Sequence, residues 1–165
     1  MTDLKTIIRD AIEPSAQIIG IKPSKESTVM LLAIGLQESR FVHRRQLVGN
    51  PPQPTGPAKS FWQAEQGGGM VHGVRRHADT SQMAAELCKA RKVSPNDRSV
   101  WDAIENDDVL AAGLARLLLW TDPKRLPALG DAEGAWQLYL RTWRPGKPHR
   151  GTWDALYAKA LEAVQ

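Results

Sequence analysis

Apolar positions recur three and four apart along most of the chain. Leu4, Ile7, Ile8, Ala11 and Ile12 share one helical face and Pro14 follows, which predicts a first helix over residues 3–13. Pro23-Ser24 opens a second over residues 24–40, and its run Val29–Leu36 is apolar on every side. Gly49, Asn50, Pro51, Pro52, Pro54, Gly56 and Pro57 then predict a rigid, irregular loop. Order resumes at Phe61-Trp62-Gln63, and Gly67-Gly68-Gly69 permits a tight backbone path into residues 70–76. Asp79 with Gln82 reads as a capping box for a helix reaching residue 91. Pro95 marks the first turn of a short helix whose apolar side carries Val100, Trp101 and Ile104. Asp107-Asp108 precede a strongly apolar helix over residues 109–120, stopped by Asp122-Pro123. Helices over residues 131–143 and 152–164 close the chain around the turn Arg144-Pro145-Gly146-Lys147-Pro148. No alternating segment has the length of a strand, so a small β-hairpin between residues 41 and 63 is the most β structure expected. The pattern predicts one mostly α domain spanning residues 1–165, without internal repeats.

Composition sharpens this picture. A chain of 165 residues, 42% apolar and 24% charged, is globular and closes a core without staples. The single cysteine, Cys88, excludes an intrachain disulfide framework and a Cys-based zinc cluster. The longest apolar run, Val29–Leu36, falls far short of the about 20 residues a spanning helix needs. Residues 1–10 lack the charged-then-apolar pattern of a secretory signal, so the chain is expected to be made and kept in the cytoplasm unless something else delivers it. A net charge of +4 favours an anionic polymer as partner but is too mild to require nucleic acid. Six Trp stand against two Phe and two Tyr. Trp101, Trp120 and Trp136 lie on apolar helix sides and are assigned to the core, while Trp153 is expected to pack the last helix down.

Glu38 is the most informative residue. It follows the most hydrophobic stretch of the chain, at the carboxy end of the second helix. Burial and the negative end of the helix dipole both raise a carboxyl pKa there. An acid kept protonated near neutral pH can donate to a poor leaving group such as a sugar oxygen. The competing reading is a solvated Glu paired with Arg40 or Arg44.

Gln37-Glu38-Ser39-Arg40-Phe41 after a buried helix resembles the Glu-Ser motif of the lytic transglycosylases and goose-type lysozymes. Ala58-Lys59-Ser60-Phe61-Trp62-Gln63 fits that family's second motif, a Gly/Ala-rich turn into Gly-Leu-Met-Gln, with Ser60 and Pro57 where the family has small residues. Trp143-Arg144-Pro145-Gly146 echoes the third, Tyr-Asn-Ala-Gly, without its Asn, and Tyr139 one turn earlier is the rival aromatic residue. The resemblance covers residues 24–150 and implies a lysozyme-like helical domain. It further implies cleavage of peptidoglycan glycan strands by Glu38, acting first as general acid and then as base. Ser39 and Gln63 would position the sugar or orient Glu38, and Phe61, Trp62, Tyr139 and Trp143 would offer flat faces to sugar rings. Glu65 is the candidate second carboxylate if the reaction is hydrolysis. A catalytically silent virion or cell-wall-binding protein is a further alternative, kept open by the missing Asn. By the same resemblance the chain would be a phage-type protein, reaching the wall after holin release or as part of a virion.

Other chemistry is set aside. His43-Arg44-Arg45, Arg75-Arg76-His77 and residues 144–150 are basic clusters read as solvated faces, without a recognition-helix pattern, so nucleic acid is not the expected partner. The four His show no ligand spacing, so no metal is expected, and no phosphate-cradling motif or other cofactor signature occurs. Asp79, Asp107 and Asp108 are assigned to helix starts, and Cys88 to the core. The protein is expected to act as a monomer.

Overall fold

A computed structural model describes residues 2–165 and has the mostly α architecture that the pattern predicts. The first helix does not stop at Pro14. Helix α1 (Leu4–Ile7) passes through a wide π turn (Ile8–Ile12) directly into α2 (Glu13–Ile19), so the helical path extends beyond residue 13. Proline lacks an N–H and its ring collides with the carbonyl four residues back. The wide turn, with the Glu13 N–H reaching Ile8 O, shifts the hydrogen-bond ladder just ahead of it. Gly20, with φ 73°, then ends α2 in the left-handed conformation.

Helix α3 (Lys25–Ser39) begins at Ser24, whose side chain accepts from the Ser27 N–H while the Ser27 hydroxyl accepts from the Ser24 N–H. This reciprocal cap fixes the start of α3. Every residue from Val29 to Leu36 is buried, and α3 packs along the final helix, α9 (Arg150–Ala163). Against α3 and the amino-terminal helical path packs α7 (Asp108–Trp120), buried on all sides from Leu110 to Leu119. A π turn (Gly69–Gly73), α4 (Val74–Arg76), α5 (Ser81–Ala90), α6 (Asp97–Ile104) and α8 (Ala132–Trp143) surround α7.

The caps of α5 and α7 divide the sequence expectations. Asp107 caps α7 through the Leu110 N–H, as expected, whereas Asp108 pairs with Arg44. Asp79 does not cap α5. Thr80 occupies that position, and its buried hydroxyl donates instead to Val74 O at 2.7 Å. Trp120 departs from its expected place in the core: it is 46% exposed, beneath the Arg116 guanidinium, because the last residue of α7 emerges past the packed layer. Trp101 is half-buried and lies among three cations, with Lys59 Nζ 3.8 Å from its ring centroid. Trp136 and Trp153 are buried.

Residues 40–68 form the only long connection among the described residues. Isolated antiparallel bridges join Arg45 to Lys59, Val48 to Gln53 and Lys59 to Ala64, and no strand forms around them. The loop is held to the body by charge. Arg44 makes a two-pronged contact with Asp108 at 2.6 and 2.9 Å and covers the Phe61 ring, while buried Lys59 reaches Asp102 and Glu105. A guanidinium fork matched to a carboxylate carries direction as well as attraction, which suits it to fixing a loop.

Candidate active site

Glu38 lies in the last turn of α3, on a cleft of about 1280 Å³. The cleft is walled by the 63–70 segment, the carboxy-terminal half of α8 and the turn that follows it. Arg40 and Phe41, with φ 57° and 53°, terminate α3 in the left-handed region and swing the chain away from the helix axis. Phe41 thereby folds back beneath α3. Its ring lies so close to Gly35 that a Cβ there would sit 2.2 Å from Phe41 Cζ. Glycine is what lets the ring close under the last turn of α3.

The Glu38 carboxyl makes no ion pair among the described residues. Arg44 is taken by Asp108, and Arg40 donates to the carbonyls of Leu36 and Gln37 at the end of α3. The Tyr139 hydroxyl donates to Glu38 Oε1 at 2.5 Å. Burial pushes the Glu38 pKa above the usual carboxylate range, and it prevails over the Tyr139 bond and the charge of Arg40, which both favour the ionised form. Burial and the neighbouring Glu38 likewise drive the Tyr139 hydroxyl far above its ordinary value, so it remains a donor. Behind this pair stands an aromatic block. Tyr139 stacks on Trp153 with centroids 5.3 Å apart and planes 11° from parallel, and Trp136 leans against both.

Five of the residues proposed from sequence line this one cleft: Glu38, Gln63, Glu65, Tyr139 and Trp143. Tyr139, the rival for the aromatic place in the third motif, is the residue that meets Glu38. Trp143, one turn on, donates its indole N–H to Trp62 O at 3.0 Å and so ties α8 to the second-motif turn. Gln63 is half-buried, and its amide donates to Ser60 O at 2.8 Å. Glu65 is exposed and makes no ion pair among the described residues.

Three expectations are corrected. Ser39 is 4% exposed and its hydroxyl is consumed by backbone, donating to Phe61 O at 2.7 Å and accepting from the Phe41 N–H. It joins the two motif segments and does not face the cleft. Phe61 and Trp62 offer no ring to a ligand, because both are buried with their edges against Phe41. The Trp62 indole N–H is satisfied inside the protein by Leu31 O at 2.8 Å. The cause is backbone geometry. Ser60 and Gln63 hold φ of 73° and 52°, and this pair of left-handed residues turns the intervening aromatic residues inward. Ser60 sits in a conformation that glycine adopts freely, and its hydroxyl accepts from the Trp62 N–H at 3.1 Å.

Sequence reasoning missed the far side of the cleft. Asp122 lines it with its carboxylate held by Arg141 at 3.0 Å, which keeps Asp122 below the usual carboxylate range. Arg144 and Lys147 of the basic 144–150 cluster also line it. Only their basic character was visible in sequence, since nothing local says that the α8–α9 turn borders the same cleft as Glu38. Gln37 supplies that link: its amide donates to His149 O at 3.1 Å and accepts from the Thr152 hydroxyl at 3.1 Å. Among the described residues no three His, Cys, Asp or Glu side chains converge as for a metal ion, and no helix is long and apolar enough to cross a membrane. No protein-family model, curated protein or solved structure matches the chain.

Proposed function

We propose that the chain cleaves the glycan strand of peptidoglycan as a lytic transglycosylase, with Glu38 as acid and then base. One observation carries this reading: a half-buried carboxyl with a raised pKa, hydrogen-bonded to Tyr139, on an open cleft larger than the usual small-molecule pocket. Burial favours the protonated form of this carboxyl, the form the first step needs. It gives its proton to the glycosidic oxygen as the C1–O bond breaks, leaving an oxocarbenium-like sugar. The new Glu38 carboxylate, steadied by the Tyr139 hydroxyl, takes the proton of the sugar's 6-hydroxyl. That oxygen bonds to C1, the 1,6-anhydro ring closes, and Glu38 ends protonated as it began. No water enters the balance.

Glu65 favours a second reading, hydrolysis by a lysozyme-like route, because it is an exposed acidic side chain on the same cleft, without an ion pair among the described residues. It would stabilise the sugar cation or activate water. Digestion of purified peptidoglycan with mass spectrometry of the products separates the two. Anhydro ends support the transglycosylase, and reducing ends support hydrolysis. Absence of products, or full activity in Glu38→Gln, rejects both.

A further inference from the structure

Two basic side chains are buried among the described residues, Lys59 and Arg116. Lys59 reaches Asp102 and Glu105. Arg116, 8% exposed on the otherwise apolar α7, reaches no carboxylate among the described residues. Burial alone pulls its pKa below the ordinary arginine value, with no acidic neighbour opposing the shift. The guanidinium lies over the Trp120 ring, 5.4 Å from its centroid, and its Nε, sealed from solvent, has no hydrogen-bond partner among the described residues. A charge taken out of water is costly unless an opposite charge or a full set of hydrogen bonds compensates it.

Arg116 borders a small cavity between α2, the turn after it and the start of α3, lined also by Ser15, Ile21, Pro23, Ser27 and Leu31. No acidic side chain lines it. Ser27 belongs to the first turn of the 15-residue α3, so the positive end of that helix dipole adjoins the cavity. The two serines spend their hydroxyl protons on backbone, Ser15 on Ile12 O and Ser27 on Ser24 O, which leaves the Arg116 Nε–H as the free donor. Two sources of positive potential and one unused donor meet there. The volume is about 10 Å³, room for a single water-sized particle, which excludes phosphate, sulfate or an organic carboxylate. We propose that the cavity is a chloride site, in which the anion accepts from Arg116 Nε and neutralises a cation locked inside the fold. The cavity shares no lining residue with the Glu38 cleft, so the site stands independently of glycan cleavage and serves stability.

The test is a thermal melt of the natural chain in sodium chloride and in sodium gluconate at an equal ionic strength of about 0.1 M, followed by a chloride titration. Gluconate is too large for the cavity and matches only the ionic strength. An anion bound by the folded state alone raises the melting temperature with its concentration. Exchange of gluconate for chloride should raise it by about 3 °C along a saturating curve. Arg116→Met keeps the length of the side chain without its charge, and should melt at one temperature in both salts. Crystals of the natural chain grown in sodium bromide should show an anomalous peak within hydrogen-bonding reach of Arg116 Nε, and this measurement decides the matter where the variant fails to fold. Equal melting temperatures of the natural chain in the two salts, an undiminished chloride response in the variant, or a cavity that holds water and no bromide overturns the proposal.

Discussion

The Tyr139 hydroxyl donates to Glu38 Oε1 at 2.5 Å, joining the last turn of α3 to the middle of α8 across 101 positions of sequence. Two opposed influences meet at this contact. Burial favours the neutral acid, and the hydrogen bond favours the carboxylate. The proposed mechanism asks Glu38 to give a proton and then take one back, and these opposed influences act on its two forms.

Tyr139→Phe removes the influence that favours the charged form, so the Glu38 pKa should rise further. Activity that requires the protonated acid falls as pH passes through that pKa, and in the variant this falling limb should move to higher pH. The rate at neutral pH should drop about tenfold, since the carboxylate formed in the first step has lost its donor. A pH–rate profile checks both, and a limb that stays in place would separate Tyr139 from the acid.

Glu38→Gln should lose activity by a factor of about 10² to 10⁴ while gaining stability. The sign follows from the raised pKa. The folded state prefers the protonated group, so that contribution is full below the ordinary carboxyl value of 4.5 and is lost as pH rises through the folded-state value. Gln cannot ionise. The variant should therefore melt roughly 3 °C higher than its parent at about pH 8, with the gain absent at about pH 4. Thermal melts at the two pH values test it.

Gly35→Ala and Gly113→Ala should part company, although both replace a helical glycine. At position 35 the new methyl meets a Phe41 ring that is wedged edge-on against Phe61 and Trp62. At 113 it meets the terminal methyl of Leu87, which can reseat. Urea unfolding should show Gly35→Ala less stable by about 2–3 kcal/mol, and Gly113→Ala by clearly less.

Ser39→Ala should weaken the fold by about 1–2 kcal/mol through the unpaired Phe61 carbonyl. Its KM for glycan should stay that of the parent, because Ser39 faces Phe61 and Phe41. A raised KM at unchanged stability would return Ser39 to the substrate.

The amino-acid sequence determined, by itself, where most helices lie. Apolar spacing and capping act within a few residues, so α3 with Ser24 and α7 with Asp107 were legible without any tertiary contact. It also marked Glu38, because an acid at the end of a wholly apolar helix is a local conflict between charge and burial. The tertiary structure alone decided what surrounds that acid. Tyr139 and Trp143 are one helical turn apart and equally aromatic, and only the stacking of Tyr139 on Trp153 selects which of them reaches Glu38. Phe61 and Trp62 read as exposed platforms until the left-handed turns at Ser60 and Gln63 roll them into the core. The basic cluster 144–150 is largely exposed, as its composition suggests, and only the Gln37 contact with His149 shows which cleft it borders. In each case the deciding contact spans distant segments, and no local propensity encodes the direction in which a side chain leaves its loop or the rotation of one helix against another.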